Sequence, residues 1–368
     1  MKTNQQLYQE RRKRIENAIA LKETVRIPTM AWVDAFAATY KKAPMSKFSN
    51  KFLYQSKVIL ETVKDFPDLD CPEASFTPPK SVAAALLCKM KLAGKELPEG
   101  TIWQVDEKER LKIEDYDTIL NRGWKDFLKE YYKRIDFRKW DLIKTAAAGI
   151  LTDRKFKKAG FPTFLSLVFN IPFDQLCAGR SLSKFMIDLY RMPDNIQAVI
   201  DVMFESHLKD LKVQLKQVKP WAVFFGVARG ASANLSPEQW ERFVWPYIVK
   251  GVNAIVEGGA VANLHFDSNW DRVVDRFREL PRARCVWACD SATDIFKLKK
   301  ALDGHMCIKG DVPPQLLAVG NPGEVYEYSK KLIREIGPTG FILAPGCTLP
   351  FNAKPENFKA MLAAAAEN

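Results

Sequence analysis

The sequence predicts an α/β fold, a (β/α)8 barrel with a helical N-terminal extension, and three observations carry that expectation. Short apolar runs alternate with amphipathic stretches from about residue 160 onward. Polar residues able to do chemistry collect where those runs end. The chain of 368 residues suits one barrel, typically ~250 residues, plus an extension. Residues 1–368 are therefore expected to form a single barrel domain. Residues 1–160 would be a helix-rich part holding the first strand, and 161–368 the main βα repeat.

The first apolar run, residues 25–32, would open the barrel. Up to residue 160 the texture is helical, with Pro-containing connections such as Phe66-Pro67-Asp68-Leu69-Asp70-Cys71-Pro72 and Phe76-Thr77-Pro78-Pro79-Lys80. Six further runs follow at 163–167, 222–225, 260–264, 285–288, 305–308 and 340–343. They are continuously apolar rather than alternating, as strands of a parallel sheet covered on both faces are. Helix starts fall between them. Ser236-Pro237-Glu238-Gln239 and Asn321-Pro322-Gly323-Glu324 each place a capping residue before proline, with a glutamine or glutamate three positions on. The count reaches seven strands, so the eighth is expected in the N-terminal half.

Composition narrows the class. With 47% hydrophobic and 27% charged residues, the chain can build a large core as a soluble protein. No apolar run approaches the roughly 20 residues of a membrane span, and the polar N-terminus lacks a signal-peptide pattern. A cytoplasmic protein with no membrane association is expected, as a monomer or homodimer. The seven cysteines are scattered without a CxxC pair, which argues against a disulfide scaffold. A net charge of +12 reads first as a solvated basic surface and second as a docking face for an acidic protein. No nucleic-acid-binding motif accompanies it, so no nucleic-acid partner is expected.

Active sites of barrels of this kind lie where strands end. One run continues into Leu264-His265-Phe266-Asp267-Ser268-Asn269-Trp270, the next into Cys289-Asp290, the next into Lys309-Gly310-Asp311, and the last into Ala344-Pro345-Gly346-Cys347. His265 and Asp267 are two apart, so on extended backbone they face one way. With Cys347 they make a credible zinc set that leaves a coordination position open. Each residue also has a plain structural reading, as a locally bonded histidine or a buried thiol. Asp290 would orient His265 or serve as a fourth ligand. Asp290 and Asp311 are the candidate catalytic carboxylates, although an aspartate after glycine also suits a turn cap. Trp32, Phe36, Phe225, Phe266 and Trp270 flank strand ends and would bind an aromatic substrate; core filling is the competing role for Phe225 and its neighbour Phe224. Arg229 would meet a substrate carboxylate, a partner protein or an ordinary surface acid.

At these motifs the chain resembles the uroporphyrinogen decarboxylase superfamily. Residues 14–28 are similar to the family's opening helix and first strand. Gly179-Arg180-Ser181-Leu182 with Arg191-Met192-Pro193-Asp194, the stretch from Ser236 to Tyr247, and the run from Gly340 to Cys347 with Lys354-Pro355-Glu356-Asn357 carry the rest of the likeness. The resemblance implies one of two activities. Decarboxylases of the family hold a polycarboxylate with arginines just after the first strand. Here that stretch is Thr29-Met30-Ala31-Trp32-Val33-Asp34-Ala35-Phe36-Ala37, with no arginine, so the anion clamp around Asp34 is missing.

The methyltransferase branch resembles the chain better, since it holds zinc with histidine and cysteine at these strand ends. Its thiol-methylating members carry His-x-Cys, where this chain has His265-Phe266-Asp267. Replacing one thiolate by a carboxylate makes a more Lewis-acidic zinc, suited to a departing oxygen. The resemblance thus implies transfer of a methyl group from an oxygen-linked small-molecule donor, such as a methoxylated aromatic, to the cob(I) corrinoid of a partner corrinoid protein. A thiol-methylating enzyme, a decarboxylase-like lyase using Asp34 or Asp290, and a non-catalytic binding subunit are the other readings.

Overall fold

A computed structural model describes residues 2–106 and 108–367. Its strands are β1 (Met30–Ala31), β2 (Cys71–Pro72), β3 (Lys89–Lys91), β4 (Gln104–Asp106), β5 (Leu165–Asn170), β6 (Ala222–Val227), β7 (Val261–Phe266), β8 (Cys285–Cys289), β9 (Cys307–Val312) and β10 (Phe341–Pro345). β5 to β10 form a parallel sheet in sequential order, each step crossed by helical segments as parallel neighbours require. β1 and β2 pair in parallel. Hydrogen bonds join this pair to both sheet edges. Leu343 N donates to Pro28 O at 2.9 Å, beside a parallel bridge between Thr29 and Leu343. On the other side Phe164 N and Leu165 N donate to Glu73 O at 3.0 and 2.8 Å. Eight strands therefore go round, and the predicted α/β barrel is the fold observed.

The eighth strand, Cys71–Pro72, lies inside a segment that the sequence presents as an irregular connection. A two-residue strand ending in proline leaves no apolar run to detect. β3 and β4 form a small antiparallel ribbon outside the barrel, also unforeseen.

Alternation along the strands sorts their side chains into two layers. Met30, Cys71, Phe164, Ala222, Val286, Cys307 and Ile342 pack together with Ile15, Ala18 and Ile19 of the first helix, Asn4–Ile19. That helix closes the N-terminal end of the barrel. The intervening residues Phe225, Leu264, Phe266, Trp287, Ile308 and Leu343 join the larger core beneath the outer helices. The helix starts at Ser236 and Asn321 both carry the predicted capping box with proline in the first turn. Among the described residues no helix is long and apolar enough to cross a membrane. All seven cysteines are free.

Candidate metal centre at the barrel mouth

All six strands of the main sheet end later than their apolar runs, and three of them bring chemistry to the mouth. β7 includes His265, β9 includes Lys309 and Asp311, and β10 reaches Pro345. Sheet hydrogen bonding thus continues into the chemically active residues and fixes their backbone. Asp267 N donates to Val227 O at 3.1 Å, and Asp267 O accepts from Trp270 Nε1 at 2.9 Å. Gly346 N donates to Val312 O at 2.9 Å. A Cβ on Gly346 would lie 2.9 Å from Ser291 Oγ and 3.3 Å from the Asp290 carbonyl carbon, so the chain passes close against the loop after β8 as it delivers Cys347 to the mouth.

His265, Asp267 and Cys347 converge. His265 Nε2 is 3.2 Å from Asp267 Oδ1 and 3.8 Å from Cys347 Sγ, and all three donor atoms lie within 4.8 Å of one another. Bond lengths of ~2.0–2.3 Å around a tetrahedral zinc place its ligands roughly 3.3–3.8 Å apart, and the two measured edges agree. The histidine is buried while Asp267 and Cys347 are partly exposed, so the set opens towards solvent on one side. Cys347 is also the one cysteine of the seven that is not buried. The electrostatics point the same way. Burial alone would lower the His265 pKa, yet the hydrogen bonds and charges of Asp267 and Cys347 outweigh it and raise it to about 10. The site favours positive charge at Nε2, where a divalent cation would take the proton's place. The residues present fit a zinc ion.

The other candidates separate. Trp32 lines the cleft beside His265 and Cys347, with its Nε1 donating to Thr77 Oγ1 at 2.9 Å. Phe224 joins it, 5.5 Å from the Trp32 ring edge-on and 5.2 Å from the His265 ring. Four expected substrate contacts go elsewhere. Phe36 packs with Tyr40, Phe66 and Phe358, and Phe225 with Phe169. Phe266 and Trp270 stack on each other at 4.8 Å beside Trp287 and Phe277. Strand alternation turns Phe225 and Phe266 into the helix layer, and Trp270 follows Phe266. Arg229 has its backbone N–H bonded to the buried Asp174 carboxylate at 2.7 Å.

The two candidate catalytic carboxylates are braces in this structure. Asp290 accepts from Ser268 N at 2.8 Å and from Ala292 N at 2.9 Å. It therefore holds the loop after Asp267 rather than the His265 ring. Asp311 accepts from Tyr328 OH at 3.0 Å and lies 4.0 Å from Cys289 Sγ, on the helix side of β9. Burial raises its pKa to about 7, against the hydrogen bonds from Tyr328 and Ser291. Gly310 before it has φ +138°, and a Cβ there would come 2.8 Å from Cys289 O. That glycine turns Asp311 out of the lumen.

Two residues of the cleft lie outside the sequence-based expectation. Lys309 of β9 and Glu73, just past β2, line it together with His265 and Cys347. Both are buried and form an ion pair, Lys309 Nζ to Glu73 Oε1. A lysine directly after the apolar run of β9 is the available signal for one. Glu73 has none, because its strand is too short to see.

An eight-stranded barrel whose mouth brings together an imidazole, a carboxylate and a thiol belongs to the class of α/β barrels with a candidate metal-ligand set at the strand ends. Within that class, the sequence profile of the family described as uroporphyrinogen decarboxylase (URO-D) matches residues 173–368, more than half of the chain, and the protein belongs to that family. Among solved structures, a methyltransferase from Methanosarcina mazei is similar over 97% of this chain and 98% of its own, with a TM-score of 0.75 at 14% sequence identity. At that identity the likeness establishes the fold. No curated protein sequence matches the chain.

Proposed function

We propose that the protein is a methyltransferase that moves a methyl group from oxygen on a small donor to the cob(I) corrinoid of a partner protein. The observation that carries this reading is the His265–Asp267–Cys347 set, two of whose edges have the spacing of zinc ligands. Its fold likeness to a methyltransferase agrees, as does the cleft beneath. None of the described residues lining that cleft is an arginine, so the cleft suits a neutral donor better than a polycarboxylate.

Zinc bound here would supply Lewis acidity towards the departing oxygen. His265, Asp267 and Cys347 would hold it, with one neutral and two anionic ligands balancing its charge. Trp32, which lines the cleft, backed by Phe224, whose ring packs against both Trp32 and His265, would give a methyl-bearing group an apolar wall and exclude water. The corrinoid would supply the nucleophile that takes the methyl group, and the electron pair of the broken carbon–oxygen bond would stay on the donor oxygen. Asp290 keeps the Ser268 backbone in place, and so holds the loop that follows Asp267.

The test has two parts. Protein produced with ample zinc is expected to hold about one ion per chain, lost in His265→Ala. Mixed with a reduced corrinoid protein and a panel of methoxylated donors, it is expected to form methyl-cobalt, followed by absorbance. Absence of metal sinks the site. Methyl transfer from methyl-cobalt to a thiol, with no oxygen-linked donor active, sinks the direction and donor class.

A further inference from the structure

We infer that the donor carries a hydroxyl group that donates a hydrogen bond to Glu73, and that the Glu73–Lys309 pair makes the site selective for it; this rests on the methyl-donor reading above. The pair lines the same cleft as His265 and Cys347, with Trp32 on its wall. Both side chains are buried, Glu73 at 4% and Lys309 at 3% exposure. Lys309 Nζ bonds Glu73 Oε1, while Glu73 Oε2 is buried without a hydrogen-bond partner in the protein.

An ionised carboxylate accepts through both oxygens, and a buried acceptor left unpaired is costly. A ligand group that donates to Oε2 removes that cost, and an analogue without it does not. Charge decides which donor group fits. Lys309 and Glu73 sum to zero, so a ligand ammonium or carboxylate would bring an uncompensated charge into a buried cleft. A neutral hydroxyl brings none.

Equilibrium binding of methoxybenzene and of the three methoxyphenols to the zinc-loaded protein, without corrinoid protein, tests this by calorimetry. At least one methoxyphenol is expected to bind roughly 10- to 100-fold more tightly than methoxybenzene. Glu73→Ala alone would strand a buried lysine. Glu73→Met with Lys309→Met replaces the pair by apolar groups of similar length, a change such pairs often tolerate, and should erase the preference. Equal affinities in the parent protein, a preference that survives in the double variant, or no binding of any of the four at millimolar concentration would each overturn the inference. Methyl transfer plays no part in the measurement. Selective binding without methyl-cobalt formation would therefore overturn the reaction proposed above and leave the recognition standing.

Discussion

Asp34 keeps its carboxylate inside the protein, with Oδ1 lacking a partner. Burial raises its pKa to about 7, and the hydrogen bond with Thr77 offsets only part of that. The consequence for stability has a definite sign. Below the unfolded pKa of ~3.9 both states are protonated and the full stability is present. As pH rises the unfolded chain ionises first, and stability is lost up to and through about pH 7. The loss is at most about 4 kcal/mol. Asp34→Asn is expected to remove this dependence, so that urea unfolding shows a variant whose advantage over the parent grows between pH 5 and pH 8. Asparagine also tolerates the φ of +35° found there. An advantage that is constant or shrinks with pH would assign the raised pKa to the wrong residue.

Along the strands, adjacent positions serve opposite layers, and function follows the layer. Phe225→Ala removes a fully buried ring from the helix-side core and is expected to cost about 3–5 kcal/mol of stability with donor affinity unchanged. Trp32→Ala is expected to do the reverse, weakening donor binding with a smaller stability loss, because Trp32 is only partly buried and lines the cleft. Calorimetry and denaturant unfolding of the two variants separate the roles; equal effects on binding would refute the layer assignment. This parity is also why the sequence is only partly legible. Apolar runs locate β5 to β10, and the strand ends locate His265, Asp267 and Cys347. The aromatic residues beside them cannot be assigned inward or outward without the register, so position alone points Phe225, Phe266 and Trp270 at the cleft. Asp311 misleads for a local reason, the glycine conformation before it. β2 is invisible because two residues make no pattern, and Glu73 is hidden with it.

At the scale of the whole barrel, the ring has a seam. Six strands share long ladders, whereas β1 and β2 contribute two residues each, and the joint to β5 consists of the Glu73 carbonyl accepting from Phe164 and Leu165. Short ladders open more readily than long ones, and local opening is read by amide exchange. The amides of Phe164 and Leu165 are therefore expected to exchange with solvent deuterium faster than those of β7 and β8. Glu73 is the shared part: its backbone oxygen latches the seam, and its carboxylate lines the cleft. A ligand that grips the carboxylate should hold the latch shut. Binding of a hydroxylated donor would then slow exchange at Phe164 and Leu165, making the weakest joint of the barrel a reporter of occupancy at its mouth.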